Sequence, residues 1–176
     1  HEFALGVTSR NAAYGAVCNP HAPDRIAGGS SGGTAAALAA RLAPVGLGTD
    51  TGGSIRIPAA LCGVVGFRPS TGRWPSRGVI PISLPTRDTA APMARSVADC
   101  ALLDAVVCGE DLSLPAISPR GLRVGIPSEF WRGLHTGVEQ QLDNALGLLR
   151  SAGVKLIPIS LDVDLPAVGD IGLTIA

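Results

Sequence analysis

Apolar residues recur with helical spacing in three segments of the chain. Residues 34–42 are rich in Ala and Leu, which favour helices, and Thr34 stands where an N-cap is expected. Residues 97–107 are apolar on nearly all sides, which predicts a buried helix. Residues 137–151 follow an amphipathic pattern, and Gly153 is expected to end that helix as a C-terminal cap.

Short apolar runs predict three strands, at residues 45–48, 122–126 and 154–159. The last two flank the amphipathic helix, and a strand–helix–strand unit of this spacing joins parallel strands. The pattern therefore predicts an α/β fold with a mixed or largely parallel sheet. Residues 1–33 are predicted to be rich in loops, and residues 70–95 to be a long surface excursion, because they contain many Arg, Pro and Gly residues.

The composition fits one folded domain without a charged partner. Of 176 residues, 46% are hydrophobic and 16% are charged, so a core can form. Fourteen basic and fourteen acidic residues cancel, and no window combines clustered Lys and Arg with aromatic residues, so we expect no nucleic-acid partner. No apolar run reaches the roughly 18 residues of a membrane span, so we expect no membrane partner either.

The cysteines and histidines do not form a metal-binding or redox motif. The four Cys and three His residues are scattered and include no CxxC pair, so we predict no metal ion and no cofactor. We expect the cysteines to be reduced and packed, which is typical of a cytoplasmic protein.

Two segments combine glycine with serine, GGSSGG at residues 28–33 and GTDTGGS at residues 48–54. A phosphate-binding loop is disfavoured because the Gly-Lys-Ser/Thr that it needs is missing. A nucleophile elbow, matched by the GxSxG around Ser31, needs a hydrophobic strand before it, and residues 19–27 predict none. Plain turns are the alternative for either segment alone. Both segments together, one helix and one strand apart, favour a catalytic site.

Asp50 and Arg56 stand on either side of Ser54 in the sequence. We predict that they form an ion pair or a hydrogen-bonded network that clamps the turn around the serine. The alternative is two unrelated charges that both face solvent.

The segments GGSSGG and GLGTDTGGSIRIPAALCGVVGFRP resemble the amidase signature family. Similarity extends from HEFALGVTS at the start through DTAAPMARSVADCALLDAVV to GLRVGIP. The resemblance implies a mixed β-sheet flanked by helices on both faces. It also implies that residues 1–176 are part of one larger amidase signature domain, whose N-terminal segment and C-terminal portion are absent.

The resemblance assigns a role to each serine of the two segments. Ser54 would be the nucleophile, Ser30 the cis-serine that bridges the proton transfer, and Ser31 its support through hydrogen bonding. The oxyanion hole would be built from backbone amides next to the nucleophile, those of Thr51, Gly52, Gly53 and Ser54.

The third member of the family's triad is a lysine. A serine hydroxyl becomes a good nucleophile only when a base takes its proton, and a lysine can be that base only when it is neutral. Lys155 is the one lysine of the chain, and it stands where the family pattern has no catalytic residue. The family's base lies upstream of the first segment, so we expect it before residue 1. Lys155 as a substitute base is the alternative.

The resemblance is strongest to bacterial indoleacetamide and mandelamide hydrolases. It implies hydrolysis of a primary carboxamide of the aryl-acetamide type to an acid and ammonia through an acyl-enzyme. The implied partner is a small-molecule amide, with a homodimer left open. Two other functions remain, the A-type subunit of an amidotransferase that acts on charged tRNA and a catalytically incomplete binding fragment. Residues 73–77 (RWPSR) are predicted to be a plain surface loop, with Trp74 as a wall of the entrance as the alternative.

Overall fold

The computed structural model describes residues 1–83, 87–112, 115–164 and 167. These residues fall into two compact units, one within His1–Leu114 and the other within Pro115–Ile171. No helix in the described part of the chain is long and apolar enough to cross a membrane.

The first unit combines seven short strands with three α-helices in its described residues. The strands are β1 (Arg10–Asn11), β2 (Gly15–Ala16), β3 (Cys18–Asn19), β4 (Ala22–Ile26), β5 (Val45–Asp50), β6 (Val65–Gly66) and β7 (Thr89–Ala94). The helices are α1 (Gly32–Ala39), α2 (Arg56–Cys62) and α3 (Val97–Cys108). Strands β1 and β2 form one antiparallel pair, and β3 and β4 form another.

Residues 19–27 form no hydrophobic strand, as predicted, although the short strand β4 lies within them. Most residues of β4 are exposed, and it pairs with the two-residue strand β3. Pro23 lacks an amide hydrogen, which suits a strand at a sheet edge. A nucleophile elbow follows a buried hydrophobic strand, so β4 does not support that alternative.

Three strands form the sheet at the centre of the first unit, in the order β5-β7-β6. Both neighbours run antiparallel to β7, with Asp50 opposite Thr89 and Val65 opposite Ala94. The prediction of a surface excursion over residues 70–95 is therefore wrong for β7, which is almost entirely buried. Its sequence, TAAPMA, has little β-propensity and contains a proline. Pairing with strands on both sides outweighs that weak local preference.

Helix α1 begins earlier and ends earlier than residues 34–42, where it was predicted. Its N-cap is Ser31 rather than Thr34, and the Ser31 side chain makes no capping hydrogen bond. The Ser31 hydroxyl lies against β5 instead, 3.3 Å from the amide nitrogen of Thr49. The Thr34 hydroxyl donates to the carbonyl of Leu47 at 3.0 Å. Side chains of the first helical turn therefore attach α1 to β5.

Small side chains form much of the core of the first unit. Its buried cluster consists of Ala27, Ala35, Leu38, Ile55, Ala59, Cys62, Ala91 and Met93. Glycine permits a close approach between α2 and β6, since a Cβ at Gly66 would lie 2.7 Å from Ile55 Cγ2 and 2.8 Å from Ala59 Cβ. Such contacts are tighter than packed side chains tolerate.

All four cysteines are free. Cys62 and Cys100 are buried as predicted, and burial raises the pKa of both thiols. Cys18 is exposed, which contradicts the expectation that every cysteine is packed. It lies in β3, a two-residue strand with no buried face at that position.

The second unit contains the predicted crossover. Strand β8 (Arg123–Pro127) and strand β9 (Lys155–Ile159) are parallel and are joined through helix α4 (Thr136–Ser151). Gly153 follows the helix with a φ of 89°, in the left-handed region that a C-terminal cap requires. The strands and the helix lie within one residue of their predicted bounds. The described chain contains antiparallel and parallel strand pairs together with α-helices. The predicted α/β class is therefore confirmed.

Gly66→Ala is expected to destabilise the protein by about 1–3 kcal/mol, because its methyl group would overlap Ile55 and Ala59 in a packed interior. Urea denaturation of the variant measures the loss. Gly33→Ala is the matched control, since nothing lies within 4 Å of a Cβ at this helical position, and no loss is expected. Equal stability of Gly66→Ala and wild type would contradict the close packing of α2 on β6.

Candidate active site

The two serine-containing segments lie against each other. The amide of Ser31 donates a hydrogen bond to the carbonyl of Ser54 at 3.0 Å, so the two backbones are in direct contact. Ser30 is buried, with 7% of its surface exposed, and Ser54 is partly exposed. The peptide bond between Gly29 and Ser30 is cis, the conformation that the resemblance implies. The structure thus brings together the three serines that the sequence singles out.

Ser9 also binds the first segment and was not among the predicted site residues. Its side chain is buried, and its hydroxyl donates to the carbonyl of Gly28 at 2.7 Å. A Cβ at Gly32 would lie 2.8 Å from Ser9 Cβ, so the glycine makes room for this contact. No local pattern marks Ser9, because its partner is 19 residues away in the chain.

The carboxylate of Asp50 organises the turn that carries Ser54. It is completely buried and accepts hydrogen bonds from the amides of Gly53 at 2.8 Å and Ile55 at 3.3 Å. Arg56 donates to it from Nε at 3.0 Å and from Nη2 at 2.9 Å. Burial alone would raise the pKa of this carboxyl, but the hydrogen bonds and the charge of Arg56 outweigh burial and lower the pKa. The predicted ion pair between Asp50 and Arg56 is confirmed.

A second cation, Arg68, approaches the same carboxylate. Its Nε lies 3.4 Å from Oδ1 of Asp50, and its Nη2 donates to the carbonyl of Arg87 at 2.9 Å. Arg68 therefore connects Asp50 to the residues that lead into β7. No sequence pattern indicates this contact, because the two partners come from separate turns.

The amides expected to form an oxyanion hole differ in their surroundings. The amide of Gly53 donates to Asp50, which differs from the expectation that it is open to a substrate. A buried carboxylate needs such donors, because an unpaired buried charge is costly. In the part of the chain that the structure describes, the amides of Thr51, Gly52 and Ser54 make no hydrogen bond.

A cavity of about 170 Å³ borders this turn within the first unit. Its wall combines threonines with apolar side chains and includes Thr49, Thr51, Trp74, Val79, Ile80 and Ile82. A mostly apolar cavity with a few polar groups is typical of a small-molecule site.

Trp74 is a fixed part of the cavity wall. It is 8% exposed, and its Nε1 donates to Oδ1 of Asp104 on α3 at 2.8 Å. Arg73 also binds Asp104, with 2.7 Å between Nη2 and Oδ2, and this bond lowers the pKa of the carboxyl. The prediction of a plain surface loop over residues 73–77 is therefore wrong at Trp74. The buried carboxylate of Asp104 draws the indole inward.

Lys155 is the first residue of β9 in the second unit, and its side chain is exposed. Among the described residues, no group of three or more His, Cys, Asp or Glu side chains could hold a metal ion.

A profile of the family described as Amidase matches residues 1–175. The chain belongs to the amidase family. Among its relatives, the indoleacetamide hydrolase of Rhizobium radiobacter is 48% identical over 162 residues, which cover 92% of this chain and 34% of that protein. The A-type subunit of the glutamyl-tRNA(Gln) amidotransferase of Acinetobacter baylyi is 43% identical over 92% of this chain and 36% of that protein.

A solved structure of an amidase has the same fold. Its TM-score is 0.89 at 40% sequence identity, and the match covers 99% of this chain and 39% of the other. The α/β fold is therefore the fold of the amidase family. The chain spans about a third of the length of the relatives it matches, 34% in the case of the indoleacetamide hydrolase.

Arg56→Ala is expected to destabilise the protein by about 1–3 kcal/mol, because it leaves the buried Asp50 with less compensation. The Arg56 side chain is 55% exposed, so the loss is expected to stay below that of a fully buried pair. Arg56→Lys keeps the positive charge but cannot donate two parallel hydrogen bonds to Asp50. Its stability should therefore lie between those of wild type and Arg56→Ala. Chemical denaturation gives the unfolding free energy of wild type, Arg56→Ala and Arg56→Lys. Unchanged stability of Arg56→Ala would contradict the interpretation that the ion pair with Asp50 clamps the turn.

Asp50→Asn is expected to remove a stabilisation that depends on pH. Folding lowers the pKa of Asp50, so its contribution is fully present above the usual carboxyl pKa and is lost as the pH falls through the folded value. The difference in unfolding free energy between wild type and Asp50→Asn should therefore shrink below about pH 4. Denaturation curves between acidic and neutral pH test this, and a constant difference would contradict it.

Proposed function

We propose that the protein is an amidase that hydrolyses a primary carboxamide to a carboxylic acid and ammonia. The observation that carries this proposal is the 3.0 Å hydrogen bond from the Ser31 amide to the Ser54 carbonyl, which holds the two serine segments together. Membership of the amidase family supports the same reaction. We further propose that residues 1–176 are part of one amidase signature domain.

In the proposed mechanism, Ser54 Oγ attacks the amide carbonyl while Ser30 passes its proton to a neutral lysine. The oxyanion accepts hydrogen bonds from the free amides of the turn, each worth roughly 3–4 kcal/mol of barrier. Those amides belong to Thr51, Gly52 and Ser54. As the tetrahedral intermediate collapses, the proton returns through Ser30 to the leaving nitrogen, which departs as ammonia. Water then attacks the acyl-enzyme, with the lysine as base, and releases the acid.

The lysine is proposed to lie upstream of residue 1 in the complete polypeptide. Lowering a lysine pKa from about 10.4 to about 7 takes roughly 4–5 kcal/mol of desolvation and charge repulsion. Lys155, the one lysine in this sequence, has an exposed side chain, which does not supply that desolvation. The proposal therefore assigns the serines of the triad to this chain and the base to a segment outside it.

The proposed substrate carries an aromatic group next to the amide, as an aryl-acetamide does. The relative named indoleacetamide hydrolase, 48% identical to this chain, supports that choice. The cavity beside Thr51 supports it as well, because the fixed indole of Trp74 offers an aromatic ring a surface to pack against.

A second candidate function is that of an amidotransferase component. The observation in its favour is the 43% identity to the A-type subunit of a glutamyl-tRNA(Gln) amidotransferase. Such a protein would release ammonia from glutamine and depend on partner chains. Glutaminase activity that appears only with partners present would favour this function, and hydrolysis of aryl-acetamides by the protein alone would favour the first.

Ser54→Ala in the complete polypeptide is expected to lower amide hydrolysis by at least about 10⁴-fold, since it removes the nucleophile. A fluorophosphonate probe should label the wild type at Ser54, as peptide mass spectrometry can show, and should not label the variant. Ser151→Ala, on helix α4, is the matched control and should keep full activity. A wild-type protein that hydrolyses amides without labelling at Ser54 would contradict the assignment.

A further inference from the structure

Asp88 joins two segments that both line the cavity. Its Oδ1 accepts a hydrogen bond from the Thr51 hydroxyl at 2.5 Å. Its Oδ2 accepts from the amide of Ile82 at 2.6 Å and from that of Ser83 at 2.8 Å. Asp88, Thr51 and Ile82 all belong to the cavity wall. One carboxylate thus ties the turn before Ser54 to the facing loop.

These contacts close a ring with the buried Asp50. Arg68 lies 3.4 Å from Asp50 and donates to the carbonyl of Arg87 at 2.9 Å. Arg87 precedes Asp88 in the chain, Asp88 binds Thr51, and Thr51 follows Asp50. A closed ring of contacts resists displacement more than a single hydrogen bond, because each member limits the freedom of the next.

We propose that Asp88 is a positioning residue of the amidase site and holds the turn ahead of Ser54 through the Thr51 hydroxyl. The inference rests on the proposed function, since it assigns a catalytic consequence to the geometry of that turn. No step of the mechanism uses Asp88 directly. It acts through Thr51, whose amide is one of those available to the oxyanion.

Two carboxylates hold the turn from its two ends. Asp50 binds the amide of Gly53, and Asp88 binds the side chain of Thr51. Between them, a Cβ at Gly52 would meet nothing within 4 Å, so no packing holds the middle of the turn. Oxyanion donors act only at hydrogen-bond distance, and a misplacement of about 1 Å can cost on the order of 100-fold in rate.

Asp88 is suited to this task because it stays charged. Burial alone would raise the pKa of its carboxyl, but the hydrogen bonds from Thr51, Ser83 and Ile82 outweigh burial and lower the pKa. Hydrogen bonds to an ionised carboxylate are stronger than those between neutral groups.

The test compares Thr51→Val with Thr51→Ser in the complete polypeptide, with an aryl-acetamide as substrate. Thr51→Val keeps the backbone amide but loses the hydroxyl, and we expect kcat to fall about 10- to 100-fold with KM within about threefold. Thr51→Ser keeps the hydroxyl and should stay within about threefold of wild type. Thr34→Val is the matched control, because the Thr34 hydroxyl donates to the Leu47 carbonyl of β5, the strand that leads into the turn. It should change kcat less than about twofold.

A double-mutant cycle connects the effect to Asp88. Asp88→Ala removes the acceptor of the Thr51 hydroxyl and should lower kcat at least as much as Thr51→Val. Adding Thr51→Val to it should lower kcat little further, since the contact is already lost. If the fold-losses in kcat of the two single variants multiply in the double variant, the two residues act independently, and that result would overturn the proposal. So would a change in KM with unchanged kcat, or an equal loss in Thr51→Ser.

Hydrogen–deuterium exchange of the peptide spanning residues 50–55 needs no substrate. Thr51→Val should speed exchange there, and Thr34→Val should not. Unchanged exchange in Thr51→Val overturns the inference whatever the activity. If exchange responds as expected but the wild type hydrolyses no amide, the proposed function fails and the catalytic role of Asp88 fails with it, while its contact with Thr51 stands.

Discussion

The buried charge of Asp50 is the constraint on which the candidate site depends. A carboxylate with no exposed surface must be compensated within the protein, since burial without partners is costly. The chain after β5 therefore bends back, so that the amides of Gly53 and Ile55 face the carboxylate and Arg56 binds it at the start of α2. That bend places Ser54 between two anchored amides. The nucleophile of the proposed reaction is thus held by its neighbours in the backbone.

Glycines stand where different segments of the chain approach each other closely. A Cβ at Gly48 would lie 2.7 Å from Ser31 Oγ, and one at Gly29 would lie 2.8 Å from the carbonyl oxygen of Gly6. Both approaches lie beside the contact between Ser31 and Ser54 and exclude any side chain at these positions. The glycines of the two segments therefore bring the serines together, in addition to making turns.

Carboxylates also fix the cavity wall opposite the turn. Asp104 on α3 holds Trp74 at one end of the loop between β6 and β7, and Asp88 holds Ile82 at the other. Both acids lie on or beside elements packed against the central sheet. The loop between β6 and β7 is consequently attached both to this sheet and, through Asp88 and Thr51, to the turn that carries Ser54.

Local patterns in the sequence correctly predicted several helices, strands and contacts of this protein. Helix α3 and the crossover of the second unit follow from residue spacing, and the ion pair of Asp50 with Arg56 follows from their positions around a glycine turn. Tertiary structure alone decided strand β7 and the roles of side chains whose partners are distant in the chain. Those side chains are Ser9, Arg68, Trp74 and Asp88. The physical reason is that a strand of weak propensity forms only between its neighbours, and a polar contact between remote segments leaves no periodic pattern in either one.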